Sequence, residues 1–213
     1  MADFSIRLAD PVVQRALEST IDREDKIPRA LEALGPVAQQ RVVLLDSGAG
    51  MRARQLEVLG ARVTALPALS MSALPQGLAD VVISCWAGFQ GGSPATQPLI
   101  DAAESVLRPG GRLLVVHDYG RDDISGLLDD EQRERDHVSW SRRDGWFLIN
   151  GFKLRVLHCW WTFDSLEAAH DLLVSAFGPA GTRVAGSMTR PRLEYKVAVY
   201  HRGMGIDSDE ARA

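Results

Sequence analysis

Residues 42–50, Val42-Val43-Leu44-Leu45-Asp46-Ser47-Gly48-Ala49-Gly50, decide how the rest of the chain is read. With Arg41 ahead of it, the apolar run describes a strand buried on both faces, as in a parallel sheet. Ser47 to Gly50 breaks the run, and Met51 to Leu59 then carries Leu56 and Leu59 on one helical face. Strand, glycine turn and helix in that order set D-x-G-x-G at a corner where glycines let backbone come close to a ligand. The N–H groups of the helix's first turn face the same point. Gly60 closes the helix and Ala61 to Leu66 forms a second strand, completing a β-turn-α-β unit.

Working toward the N-terminus, the first forty residues read as helical. Asp10 before Pro11 is an N-cap and first-turn pair, with Val12, Val13, Ala16 and Leu17 at helical spacing. A second helix is expected from Pro28 to Leu34, ending at Gly35-Pro36. Toward the C-terminus the alternation continues. Asp80 to Ser84 is an apolar strand, followed by a loop with Gly88, Gly91, Gly92 and Pro94. Leu99, Ile100, Ala103, Val106 and Leu107 form a helical stripe ended by Pro109-Gly110-Gly111, and Arg112 to His117 is another buried strand. Asp122 to Arg143 is charge-rich and expected to be a surface helix. Lys153 to Phe163 reads as a long strand, and Leu166 to Phe177 as a helix opened by Asp164 or Ser165 and ended by Gly178-Pro179. Leu193 to His201 alternates as a final, partly exposed strand. One α/β domain over 1–205 is expected, with 1–40 a helical extension and 206–213 a disordered tail.

Composition narrows the function classes. The chain has 213 residues, 46% hydrophobic and 24% charged, the proportions of a globular protein rather than a disordered or coiled-coil one. Its 24 basic and 28 acidic residues leave a net charge of -4, which argues against an electrostatic grip on nucleic acid or an anionic membrane. Two distant cysteines, Cys85 and Cys159, give neither a disulfide framework nor a zinc spacing, so no metal is expected. The start MADFSIRLADP lacks the apolar core of a signal peptide, and no run is long enough to span a membrane. A cytoplasmic protein is the expectation.

Further along stands Leu107-Arg108-Pro109-Gly110-Gly111-Arg112-Leu113-Leu114-Val115-Val116, preceded by a helix and by Ala79-Asp80-Val81-Val82-Ile83-Ser84. Together with the D-x-G-x-G corner, this L-x-P-G-G-x-L run resembles the class I S-adenosylmethionine-dependent methyltransferases. The resemblance covers residues 40–120 by motif and the last strands by layout. It implies a Rossmann-like, doubly wound, mostly parallel sheet with an antiparallel last strand. It also implies S-adenosylmethionine as cofactor, with Asp46, Ser47, Gly48, Ala49 and Gly50 along its methionine end and Ser84 and Cys85 at the strand end beside it. Trp86 and Phe89, then Asp118 and Tyr119, would shape the place of a small-molecule acceptor. His117, at a strand's carboxyl end beside Asp118, is the best candidate for a general base.

The departures are equally specific. Most of the family carries an acid at the end of the second strand for the ribose hydroxyls, and Pro67 stands here instead. An Asp before an L-P commonly meets the adenine, and Ser70 precedes Leu74-Pro75 at that place. Only 13 residues separate Leu66 from Asp80, whereas a helix and a strand with connections take roughly 20. The second helix or the third strand is expected to be shortened or lost, and the adenosine half of the pocket to be unorthodox. Ser84-Cys85-Trp86-Ala87 also differs from the N/D-P-P-Y of members that methylate planar amide or base nitrogens.

Other readings attach to the same residues. A methyltransferase-like fold that has lost its cofactor would serve as a binding or assembly module. Gly48-x-Gly50-x-x-Ala53 also fits the dinucleotide fingerprint of NAD(P)-dependent oxidoreductases, but no acid follows at the distance NAD requires. Trp140, Arg142, Arg143, Trp146 and Phe147 interleave bases with aromatics, a pattern able to stack nucleobases. Asp136 and Asp144 flank it, so an amphipathic helix over the sheet is the better account. His158, Cys159, Trp160 and Trp161 sit inside a strand pattern, and Arg52 and Arg54 read as solvated helix residues.

Overall fold

The structure, a computed structural model, describes residues 6, 8–45, 50–86, 89, 94–128 and 145–204. Two helices come first, α1 (Pro11–Glu18) and α2 (Lys26–Leu34). Asp10 caps α1 by accepting from the Val12 N–H at 2.7 Å. The carboxylate of Asp22, itself in the left-handed region at φ 52°, accepts from the N–H groups of Lys26 and Ile27 at the start of α2.

The alternating part runs β1 (Arg41–Leu45), α3 (Met51–Val58), β2 (Arg62–Leu66), a 3₁₀ turn (Ala68–Ala73), β3 (Ala79–Cys85), α4 (Thr96–Val106) and β4 (Leu107–Asp118). After a second 3₁₀ turn (Ile124–Gly126) come the short α5 (Trp146–Ile149), β5 (Lys153–Thr162), α6 (Leu166–Phe177), α7 (Pro179–Ser187) and β6 (Arg192–Gly203). The six strands form one sheet in the order β2-β1-β3-β4-β6-β5. The first four are parallel, while β6 runs antiparallel to both of its neighbours.

Each face of the sheet carries its own core because successive side chains alternate. On one face Val42, Leu44, Ile83, Leu114, Val116 and Trp161 pack with Leu17, Ile27, Leu31, Leu56 and Leu173 from the helices. On the other Val43, Leu45, Val82, Leu113 and Val115 pack with Met71 of the 3₁₀ turn, Ile100 and Ala103 of α4, and Phe147 of α5. The aromatic–basic segment therefore contributes a core residue at Phe147, stacked on Tyr200 at 4.5 Å between ring centres. Residues 129–144, including Trp140, Arg142 and Arg143, lie outside the described residues.

The segment between Leu66 and Ala79 is shortened as expected: a single 3₁₀ turn takes the place of a helix, with Met71 fully buried against the sheet. The sequence reading needs four corrections here. Pro109-Gly110-Gly111 is a bulge inside β4 rather than a turn ahead of it, since Leu107 already pairs with Ala79 before Arg112 pairs with Val81. Gly111 has no room for a side chain, because a Cβ would sit 2.8 Å from the Arg108 carbonyl oxygen. The final strand is interior rather than partly exposed: β6 lies between β4 and β5, and it extends to Gly203 rather than His201. Gly178-Pro179 ends α6 but also starts α7, with proline in the first turn where its missing N–H costs nothing. Asp122 to Leu128 forms a 3₁₀ turn and its flanks, not a helix.

Candidate functional site

Parallel strands β1, β3 and β4 end together at one edge of the sheet, the side on which such sheets bind ligands. Asp46, Ser47, Gly48 and Ala49, at the end of β1, lie outside the described residues. Gly50 follows them at φ 80° and caps the N-terminus of α3. Among the described residues, a Cβ on Gly50 would meet only the Arg54 guanidinium tip, at 3.5 Å.

The end of β3 carries Ser84 and Cys85, both fully buried, and then Trp86 in the left-handed region at φ 50°. A bulky side chain in that conformation is an outlier that the surroundings must hold in place. They do so twice. The Trp86 N–H donates to the Val116 carbonyl at 2.9 Å, and its indole Nε1–H donates to Asp118 Oδ1 at 2.8 Å. Asp118 also accepts from the Tyr195 hydroxyl. Burial and the Asp118 charge push the Tyr195 phenol well above its ordinary range, so it stays a donor.

The Arg52 guanidinium stands 5.4 Å from the centre of the Trp86 ring. Arg52 is 2% exposed, which overturns the expectation of a solvated residue. It donates to Gln55 Oε1 at 2.8 Å, and Gln55 Nε2 reaches Asp25 at 3.2 Å. Burial raises the Asp22 pKa, opposed by the α2 N–H groups and the Arg52 charge. Cys159 lies beside it, and burial pushes its thiol up to about 12, so it is no nucleophile. Arg54 is exposed, as expected.

His117 points to the opposite face from Asp118, because adjacent strand residues alternate. Its Nε2–H donates to the Phe89 carbonyl at 2.8 Å, and its ring lies 5.9 Å from Phe147. Burial pushes its pKa down to about 4. The ring is thus neutral at physiological pH and Asp118 does not orient it. Phe89 is fully buried in the same core, away from Trp86, so the two do not form one aromatic floor. Tyr119 is half-buried and anchored by its N–H to the Lys196 carbonyl at 2.8 Å. Pro67 is exposed and extended at the head of the 3₁₀ turn, and no carboxylate occurs between it and Leu78.

The structure thus brings Trp86 and Asp118 together, separates His117 and Phe89 from them, and adds Asp22, Arg52 and Tyr195. Asp22 and Tyr195 carried no motif. Tyr195 was legible only as an inward position of an alternating strand. Among the described residues no cluster of His, Cys, Asp or Glu could hold a metal, and no helix is long and apolar enough to cross a membrane.

Among solved structures the chain is similar to a candidate type II methyltransferase from Anaeromyxobacter dehalogenans. The match has 18% identity and a TM-score of 0.51 over 84% of this chain and 97% of that one. It is also similar to the protein solved for the conversion of a disulfide bond into a thioacetal group during echinomycin biosynthesis. There the identity is 14% and the TM-score 0.55, over 88% of this chain and 84% of the other. A SAM-dependent methyltransferase from Geobacter sulfurreducens, solved with S-adenosyl-L-homocysteine, matches at 19% identity and a TM-score of 0.45, over 91% and 99%. No family profile and no curated protein sequence matches. The chain has the class I methyltransferase fold, with helices on both faces of the sheet and the antiparallel β4-β6-β5 arrangement.

Proposed function

We propose that the protein transfers a methyl group from S-adenosylmethionine to a small-molecule acceptor at the carboxyl edge of β1, β3 and β4. The observation that carries this reading is the corner itself. Gly50, left-handed at φ 80°, opens α3 directly after D-S-G-A on a sheet of the methyltransferase fold, so a helix N-terminus meets the carboxyl edge of β1 there. A helix N-terminus at a glycine corner suits the carboxylate-bearing methionine end of the cofactor. The ribose end fits less well, because Pro67 stands where a carboxylate would accept from the hydroxyls.

In this reading Asp46 to Gly50 hold the methionine part, and Ser84 and Cys85 form the strand end beneath it. When bound, the cofactor supplies an electrophilic methyl on a sulfonium. Everything else falls to alignment, which in a well-oriented displacement is worth roughly 7 to 11 kcal/mol of barrier. Trp86, Asp118 and Tyr119 shape the acceptor side. His117 acts there as a neutral group that fixes the Phe89 carbonyl, not as a proton acceptor. The acceptors this site suits are therefore those that need no strong base, a thiolate or a neutral nitrogen.

Calorimetric titration with S-adenosylmethionine and S-adenosylhomocysteine tests the reading. Wild-type protein should bind both, and Gly48→Val should abolish binding while the protein stays folded. Absence of binding by the wild type would reject the transferase reading.

A further inference from the structure

The sheet has two edges, and the chain treats them differently. The outer edge of β5 is covered by the N-terminal segment. The Asp22 N–H donates to the Trp160 carbonyl at 3.0 Å, and the Thr162 N–H to Thr20 at 2.8 Å. The Lys26 ammonium caps the His158 carbonyl at 2.9 Å. At the opposite edge β2 has no such cover among the described residues. Its Arg62 N–H donates to the Gln40 carbonyl at 2.9 Å, so Arg62, Thr64 and Leu66 turn their backbone toward β1. By strand alternation Val63 and Ala65 turn two N–H and two C=O groups outward. Val58, at the end of the helix before β2, and Leu69, in the turn after it, are 87% and 86% exposed. An open edge flanked by exposed apolar side chains is a template for strand pairing.

We propose that β2 pairs antiparallel with β2 of a second copy of this chain, about a two-fold axis at Thr64. The hydrogen-bond pattern selects this register. Centred on Thr64, Val63 of each copy lies opposite Ala65 of the other, and each such pair exchanges both N–H···O=C bonds. Every outward group of both strands is then used. Centred on Val63, Ala65 would face Ala61, whose N–H is already given to the Leu56 carbonyl at 3.0 Å. Centred on Ala65, Val63 would face Pro67, which has no N–H. The side chains agree with the Thr64 register. Arg62 faces Leu66, so no like charges oppose, and Thr64 faces its own copy in a favourable cross-strand pair. The contact is isologous and closes as a dimer, joining two six-stranded sheets into one.

Sedimentation equilibrium of the full chain should give twice 23.3 kDa. Ala65→Pro removes an N–H that points away from β1 and sets a ring across the edge, so it should return the mass to that of one chain with an unchanged circular dichroism spectrum. Thr64→Cys tests the register without relying on that variant. Facing residues of a non-hydrogen-bonded pair have Cα atoms about 4.5 Å apart, within disulfide range. Mild oxidation should therefore cross-link this variant into a dimer that thiol reduces. Wild-type protein, whose Cys85 and Cys159 are buried, should not cross-link. A wild-type mass of one chain, an Ala65→Pro dimer, or a Thr64→Cys protein that stays uncross-linked would each overturn the proposal.

Discussion

Trp86 and Asp118 end neighbouring strands and are joined by a 2.8 Å bond from the indole Nε1–H to the carboxylate, across 32 residues of sequence. The bond holds Trp86 in a left-handed conformation that tryptophan rarely adopts. Trp86→Phe should keep the ring volume but lose the donor, lowering stability by about 1.5 to 3 kcal/mol in chemical denaturation, as for a bond to a charged group. Among truncations, Trp86→Gly should be more stable than Trp86→Ala by about 1 kcal/mol, since only glycine relieves the strained φ. Equal stabilities would show that the backbone there is unstrained.

The buried imidazole of His117 gives stability a pH dependence whose sign is fixed by its depressed pKa. Folding holds it neutral down to about 4, whereas an unfolded histidine binds its proton near 6.5. The unfolded state therefore takes up more protons in that window, and stability is lost as pH falls through it. At about 1.4 kcal/mol per pH unit the full loss approaches ~3 kcal/mol. His117→Gln has no such proton to gain, so urea midpoints of the two proteins should converge as pH drops from 6.5 to 4. Parallel pH profiles would mean that the ring is hydrated.

Pro67 offers a gain-of-function test of the cofactor reading. It is exposed, extended at ψ 141°, and heads a 3₁₀ turn, a position that aspartate accepts without strain. Pro67→Asp should supply the missing ribose acceptor. A charge-assisted bond of roughly 1.5 to 3 kcal/mol corresponds to about one to two orders of magnitude in affinity for S-adenosylmethionine. Unchanged affinity in calorimetry would place the ribose elsewhere.

Two glycines of α7 should respond oppositely to alanine. At Gly181 a Cβ would lie 1.9 Å from the Leu173 carbonyl oxygen, so Gly181→Ala must push α7 off α6. A loss of about 3 kcal/mol or more is expected, at the upper end of overpacking costs. At Gly186 nothing lies within 4 Å of the added Cβ, and Gly186→Ala should stabilise by about 0.5 to 1 kcal/mol through helix propensity. Thermal unfolding of the pair checks both signs.

The sequence by itself determined the parallel half of this protein. The strands Arg41–Leu45, Ala79–Cys85 and the inner part of β4 are short runs of large apolar residues, and both their faces must be buried whatever surrounds them. The glycine corner and the lost element after Leu66 were legible for the same reason: turn chemistry and chain length are local quantities. Only the tertiary structure decided what depends on partners far away in sequence. β6 became interior because β5 pairs with its far side, a choice no alternation pattern encodes. Arg52 is buried because Trp86 stands over it, and Asp118 answers Trp86 and Tyr195 rather than its neighbour His117. The depressed pKa of His117 was set by burial beside partners such as the Phe147 ring, 30 residues away, with the Phe89 carbonyl, 28 residues away, opposing it, since burial and nearby dipoles fix a pKa and residue type does not.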